Sequence, residues 1–138
     1  MEILRPDLCV VGAGAGGLSV AAAAAALGVA VVLIEKGEMG GDCLNHGCVP
    51  SKALIAAAAR AQAMREAAPF GIAPVEPRID FSAVMAHVAQ TRASIAPHDS
   101  QARFAALGVT VIRAAARFVD RRAIEAGGQR IEARRFVL

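Results

Sequence analysis

The stretch that decides the fold reads Leu8-Cys9-Val10-Val11-Gly12-Ala13-Gly14-Ala15-Gly16-Gly17-Leu18-Ser19-Val20, continues through the alanine run of residues 21–26, and ends Leu27-Gly28-Val29-Ala30-Val31-Val32-Leu33-Ile34-Glu35. Leu8 to Val11 is a short apolar run and predicts a strand. Gly12 to Gly17 is a glycine-rich turn. Leu18 to Leu27 is rich in alanine, the best helix former, and Gly28 stands where a left-handed C-cap belongs. Val29 to Ile34 is β-branched and apolar, which predicts a second strand. Strand, helix and strand in that order imply a parallel pair joined by a right-handed crossover.

The turn contains GxGxxG at Gly12, Gly14 and Gly17. Gly12 permits the tight turn out of the strand. Gly14 lets backbone approach a pyrophosphate. Gly17 lets the helix pack close to the strand. The helix N-terminus then presents free N–H groups and a positive dipole end to phosphate. Glu35 follows at roughly the 20-residue spacing of a carboxylate that holds ribose hydroxyls. The loop alone does not separate FAD from NAD.

Between Leu8 and Ile34 no residue is charged. A hydropathy window would flag a membrane span or a signal sequence. The glycines, the alanine-rich centre and the β-branched ends contradict both and fit a βαβ unit whose strands are covered on both faces. With no other targeting signal, a cytoplasmic location is the expectation. The chain has 138 residues, 56% of them hydrophobic, so a folded core is expected. Net charge is +3, and the arginines of the C-terminal third (Arg113, Arg117, Arg121, Arg122, Arg130, Arg134, Arg135) have no interleaved aromatics to stack bases. They read as a solvated face, and no nucleic-acid or membrane partner is expected. Three cysteines are too few for a secreted disulfide scaffold. Cys9 lies in an apolar strand and reads as a buried, inert thiol.

Further along, residues 36–42 read as a loop. Pro50 suits a first helical turn, and that helix should run to about Ala67. Pro69, Gly71, Pro74 and Pro77 mark an irregular link. Asp80 or Ser82 caps a helix to about Ala93. Pro97 opens a helix to about Leu107, ended by Gly108. Val109 to Ile112 predicts a strand, and residues 114–138 predict short strands with a tight turn at Gly127-Gly128. The final Phe136-Val137-Leu138 resembles a buried strand, which suggests a chain cut short.

The second motif is Gly40-Gly41-Asp42-Cys43-Leu44-Asn45-His46-Gly47-Cys48-Val49-Pro50-Ser51-Lys52. Two thiols at a helix entry can close a small disulfide, and the helix N-terminus favours thiolate. Lys52, one helical turn beyond Cys48, adds a cation. A zinc site from Cys43, His46 and Cys48 is the competing reading, but its spacing misses the usual patterns and leaves Pro50-Ser51-Lys52 without a role. No metal site is expected. His87 and His98 read as surface or packed histidines.

This motif strongly resembles the signature of the pyridine nucleotide-disulfide oxidoreductase family, which includes dihydrolipoamide dehydrogenase, glutathione reductase and mercuric reductase. Gly40, Gly41, Cys43, Asn45, Gly47, Cys48, Pro50, Ser51 and Lys52 all match. The resemblance implies an α/β, Rossmann-like FAD-binding domain with a parallel sheet, a βαβ start and a small β-hairpin region near the C-terminus. It implies that residues 1–138 are the N-terminal part of that domain, truncated, with NAD(P)H-binding and dimerisation domains absent. Gly12, Gly14, Gly17 and Glu35, with Lys36, Gly41, Asp42 and Lys52, would bind FAD. Cys43 would be the catalytic thiol that attacks substrate, and Cys48 the catalytic thiol that faces the flavin. Electrons would pass between NAD(P)H, flavin, the Cys43–Cys48 disulfide and a small-molecule or disulfide substrate, in a full-length homodimer. The alternative is a dinucleotide-binding module without a complete catalytic cycle.

Two residues depart from the family pattern. Asp42 stands where threonine is common and is expected to push the Cys43 thiol pKa up. His46 stands where a small apolar residue is common. The stretch from Gly41 to Lys52 looks more like the mercuric-reductase-like branch than like glutathione reductase.

Overall fold

A computed structural model describes residues 2–138. Its centre is a parallel sheet of four strands: β2 (Leu8–Val11), β3 (Val31–Ile34), β4 (Thr110–Ile112) and β8 (Arg135–Val137), in the order β4-β3-β2-β8. Helix α1 (Ala15–Ala26) makes the crossover from β2 to β3. It begins three residues earlier than composition suggests, so Gly16 and Gly17 form its first turn. Gly28 ends it at φ +77°, its N–H donating to the Ala25 carbonyl.

A second sheet, β1-β7-β6-β5, combines β1 (Ile3–Leu4) with β5 (Arg117–Asp120), β6 (Ala123–Ala126) and β7 (Gln129–Glu132). The expected hairpin at Gly127-Gly128 is present. Both glycines have positive φ, 56° and 77°, as a primed turn requires. The hairpin is larger than expected because Ile3 and Leu4 pair in parallel with Arg130 and Ile131. Two residues at the start of the chain give no periodic signal by themselves, and only the partner strand defines them.

Three layers result, and strand alternation explains them. Cys9, Val32, Ile34 and Ile112 point from the parallel sheet toward Ile124, Ala126 and Ile131 of the second sheet. Val10, Val31 and Leu33 point the other way, against Leu18 and Ala21 of α1 and against Phe104. Cys9 is fully buried, and burial pushes its thiol from the ordinary 9.0 up to about 11. This agrees with its reading as an inert core residue.

The remaining helices are α2 (Gly41–Asn45), α3 (Cys48–Arg65), α4 (Phe81–Ile95) and α5 (Gln101–Ala106). Of these, α5 packs on the parallel sheet through Phe104, while α2, α3 and α4 pack on one another. Asp80 caps α4 by accepting from Ala83 N–H at 3.1 Å. Pro50 is the third residue of α3, still within the first turn, where a missing N–H costs nothing. Two expectations are corrected. Gly41 and Asp42, read as the end of a loop, are instead the first residues of α2. The helix read from Pro97 to Leu107 is instead a 3₁₀ turn at Ala96–Asp99 followed by α5, because Ser100 breaks it and caps α5 by accepting from Arg103 N–H at 3.2 Å. No described helix is long and apolar enough to cross a membrane.

The closest backbone contact lies at Gly17. A Cβ there would fall 1.9 Å from the Gly12 carbonyl oxygen. A Cβ on Gly16 would meet nothing within 4 Å. Gly17→Ala should therefore cost about 3 kcal/mol or more, while Gly16→Ala should be neutral or slightly stabilising. Urea denaturation of both variants checks this, and equal midpoints would contradict the packing. A second expectation concerns Cys9. Its raised folded pKa stabilises the fold fully below pH 9 and is lost as pH rises toward about 11. Stability of the wild type should fall more steeply over that window than stability of Cys9→Ala, measured by denaturation at each pH.

Candidate active site

The glycine turn sits at the carboxyl end of β2, where open α/β sheets bind ligands. Gly12 turns at φ +105°. Gly14 caps α1 with no side-chain hydrogen bond, so the first N–H groups of the helix lack internal acceptors. A Cβ on Gly12, Gly14 or Gly16 would meet no atom within 4 Å. The turn therefore shows bare backbone and helix N–H groups to open space, a donor set that fits a diphosphate.

Glu35 lies just beyond β3. Its two carboxylate oxygens accept from Ala13 N–H and from Gly37 N–H, both at 2.6 Å. This fixes the carboxylate against the turn while leaving lone pairs for hydroxyl donors. Glu35, Gly41 and Asp42 line one hollow of about 370 Å³, together with Glu38, Asn45 and His46. Lys36 is exposed and does not line it. Gly41 presses on the turn, since a Cβ there would lie 2.8 Å from Gly14 Cα.

Helix α2 carries Cys43 and the start of α3 carries Cys48. Both are free thiols, Cys43 half-buried and Cys48 exposed. The Cys43 thiol pKa is raised. The chief cause is its hydrogen bond with the Cys48 side chain, followed by desolvation and the neighbouring Cys48 charge; the Cys48 backbone N–H and Lys52 act in the opposite direction. The expected upward push is thus present, but its source is Cys48 and not Asp42, whose side chain is exposed. Lys52 acts as its spacing implies. His46 does not join the cysteines. Its Nε2 lies 3.8 Å from Glu38 Oε2, and among the described residues no three His, Cys, Asp or Glu side chains converge as metal ligands.

Two contributors to this site were not singled out in the sequence, and the first is Arg92 of α4, which acts through Asn45. Asn45 is the brace of α2. Its amide donates to the Met39 and Gly41 carbonyls at 3.2 and 2.9 Å and accepts from Arg92 of α4 at 3.3 Å. The motif contains Asn45, but no local signal identifies Arg92. The other is a hollow of about 390 Å³ on which Cys43 opens, walled by Leu18, Ile95 and Phe104, with Asp99 and Arg103 at its polar side. Three separate segments form it, so sequence spacing cannot reveal it.

The chain as a whole matches a known family and several known proteins. The family model described as pyridine nucleotide-disulphide oxidoreductase matches residues 6–138. A mercuric reductase from Streptomyces lividans is 44% identical over 80 residues, covering 57% of this chain and 17% of that protein. A dihydrolipoyl dehydrogenase from Pseudomonas aeruginosa is 37% identical over 150 residues, covering 99% of this chain and 31% of that protein. The chain thus spans less than a third of the length of either relative. The fold is similar to that of an HOCl-induced flavoprotein disulfide reductase from Escherichia coli, solved as a Cu(II) complex, with a TM-score of 0.73 and 21% identity over 94% of this chain and 26% of that one. The chain belongs to the pyridine nucleotide-disulphide oxidoreductase family.

Proposed function

We propose that this chain is the FAD-binding part of a flavin-dependent disulfide oxidoreductase whose exchanging thiols are Cys43 and Cys48. The observation that carries the reading is the cysteine pair itself: two free thiols in hydrogen-bond contact at the entry to α3, with Lys52 one turn on and with Cys43 opening on its own hollow.

The glycine turn and the first N–H groups of α1 would hold the diphosphate of FAD, and Glu35 the ribose of its ADP half. FAD, when bound, supplies the two-electron connection between NAD(P)H and the cysteine pair. The residues of this chain do the rest. Lys52 favours negative charge at the thiols. Cys43, on the wall of the hollow, attacks one sulfur of a disulfide substrate. That S–S bond breaks, one substrate thiolate leaves, and a mixed disulfide forms. The Cys48 thiolate then attacks Cys43 Sγ, closes the Cys43–Cys48 disulfide and releases the second substrate thiolate. The substrate gains two electrons and the cysteine pair loses two. A dithiol substrate such as a dihydrolipoyl group runs the same exchange in reverse. For a protein of the relatives' full length the proposal extends to NAD(P)H as electron partner, a homodimer and a cytoplasmic location.

Two measurements test the reading. The purified protein incubated with FAD should be yellow after desalting, with flavin absorption bands. Gly14→Val, which fills the open face of the turn, should weaken uptake at least about tenfold. A wild type that takes up no FAD would overturn the cofactor assignment. For the thiols, Cys48→Ala removes the main influence raising the Cys43 pKa and leaves Lys52 in place. The pH midpoint of Cys43 alkylation by iodoacetamide should therefore fall below that of the wild type. An unchanged midpoint would show that the two thiols do not act as a pair.

A further inference from the structure

We propose that a basin at one end of the two sheets is a binding site for a small molecule carrying more than one phosphate group, separate from the glycine turn. The basin has a volume of about 740 Å³, within the range of small-molecule sites. Six arginines line it: Arg5, Arg121, Arg122, Arg130, Arg134 and Arg135. Only two carboxylates, Asp120 and Glu132, line it with them.

The arginines divide into two groups. Arg130 and Arg5 are built into the wall. Arg130 bonds Asp120 at 2.7 Å and Glu132 at 3.1 Å, and Arg5 bonds Glu132 at 3.2 Å. Arg134 bonds Asp7 at 3.0 Å. Arg121, Arg122 and Arg135 make no ion pair among the described residues and are exposed. Arg121 and Arg122 form the turn between β5 and β6, which Asp120 ties by accepting from Arg122 N–H at 2.7 Å. Arg135 opens β8 across the junction, with one guanidinium N–H donating to the Arg134 carbonyl at 2.8 Å.

Three guanidinium groups from two separate segments thus line one concavity whose two carboxylates are already paired with Arg5 and Arg130. Their mutual repulsion is relieved by an anion, and their planar forks match phosphate oxygens two at a time. Several such groups around one basin favour an anion with several charges over a single phosphate. The basin lacks an exposed ring on which bases could stack: Phe136, the one aromatic lining it, is half-buried and packs edge-on against Phe118 with centroids 5.2 Å apart. A nucleic-acid strand therefore fits it less well than a compact polyphosphate.

The test is titration calorimetry of the folded chain with inorganic tripolyphosphate at constant ionic strength. Gly14→Val keeps the glycine turn from contributing to the signal. Tripolyphosphate should bind this variant, and binding should weaken at least about tenfold when Arg121→Gln, Arg122→Gln and Arg135→Gln are added. The arginine-only triple variant should keep its FAD uptake, which separates this site from the flavin reading. The proposal is overturned if tripolyphosphate binds no better than sulfate, if the triple substitution leaves its affinity unchanged, or if a short single-stranded oligonucleotide or an acidic peptide binds the basin more tightly.

Discussion

The contact between the Gly12 carbonyl and the α-carbon of Gly17 sets the position of nearly everything else. A turn this tight needs positive φ at Gly12, and a helix this close to its strand allows no side chain at Gly17. The direction of α1 is fixed by that contact, and with it the place where the helix N–H groups converge. The same crowding extends outward. Gly41 approaches Gly14 as closely as backbone can, so α2 is seated directly on the turn. The Gly40 N–H donates to the carbonyl of Ala13 at 2.8 Å, and the N–H of the same residue donates to Glu35. The glycine turn and the cysteine helix are therefore joined by direct backbone contact.

That coupling gives the cysteines a defined setting. Asn45 holds the far end of α2 to the backbone before it and, through Arg92, to α4. Cys43 and Cys48 come from two helices joined by a short turn, in which the His46 and Gly47 N–H groups donate to the Asp42 carbonyl, rather than by a disulfide. For the thiol–disulfide exchange proposed above, such a pair would benefit from a frame independent of its own bond. The difference in exposure divides access: Cys43 lines its hollow, and Cys48 is exposed outside it.

The sequence revealed most where the physics is local. The β2–α1–β3 unit could be read because glycine, alanine and β-branched residues each favour one backbone state, and because Glu35 follows at a fixed reach. Cys9 was legible as buried from its neighbours alone. Helix α2 was not, because Gly40 and Gly41 resemble a loop and the residues that make it helical act through Asn45 and through contact with the turn. The break at Ser100 was a capping signal overshadowed by the helix-forming residues around it. The source of the Cys43 shift was misread because Asp42 is adjacent in sequence but points to solvent, whereas Cys48 meets the thiol in space. The hollow beside Cys43 and the arginine basin both assemble from distant segments, which no window along the chain can join.

The two sheets also tie the chain's extremes together. Ile3 pairs with Arg130 and Leu8 with Arg135, each across 127 residues. During synthesis, β2 can acquire β3 early, since only α1 intervenes. Its other edge stays open until β8 leaves the ribosome. Such long-range parallel pairing is slow to form, and an open edge in the meantime is a place where a second nascent chain can add. The same register that brings β8 to the parallel sheet therefore makes the addition of that strand a step on which productive folding and misassembly compete.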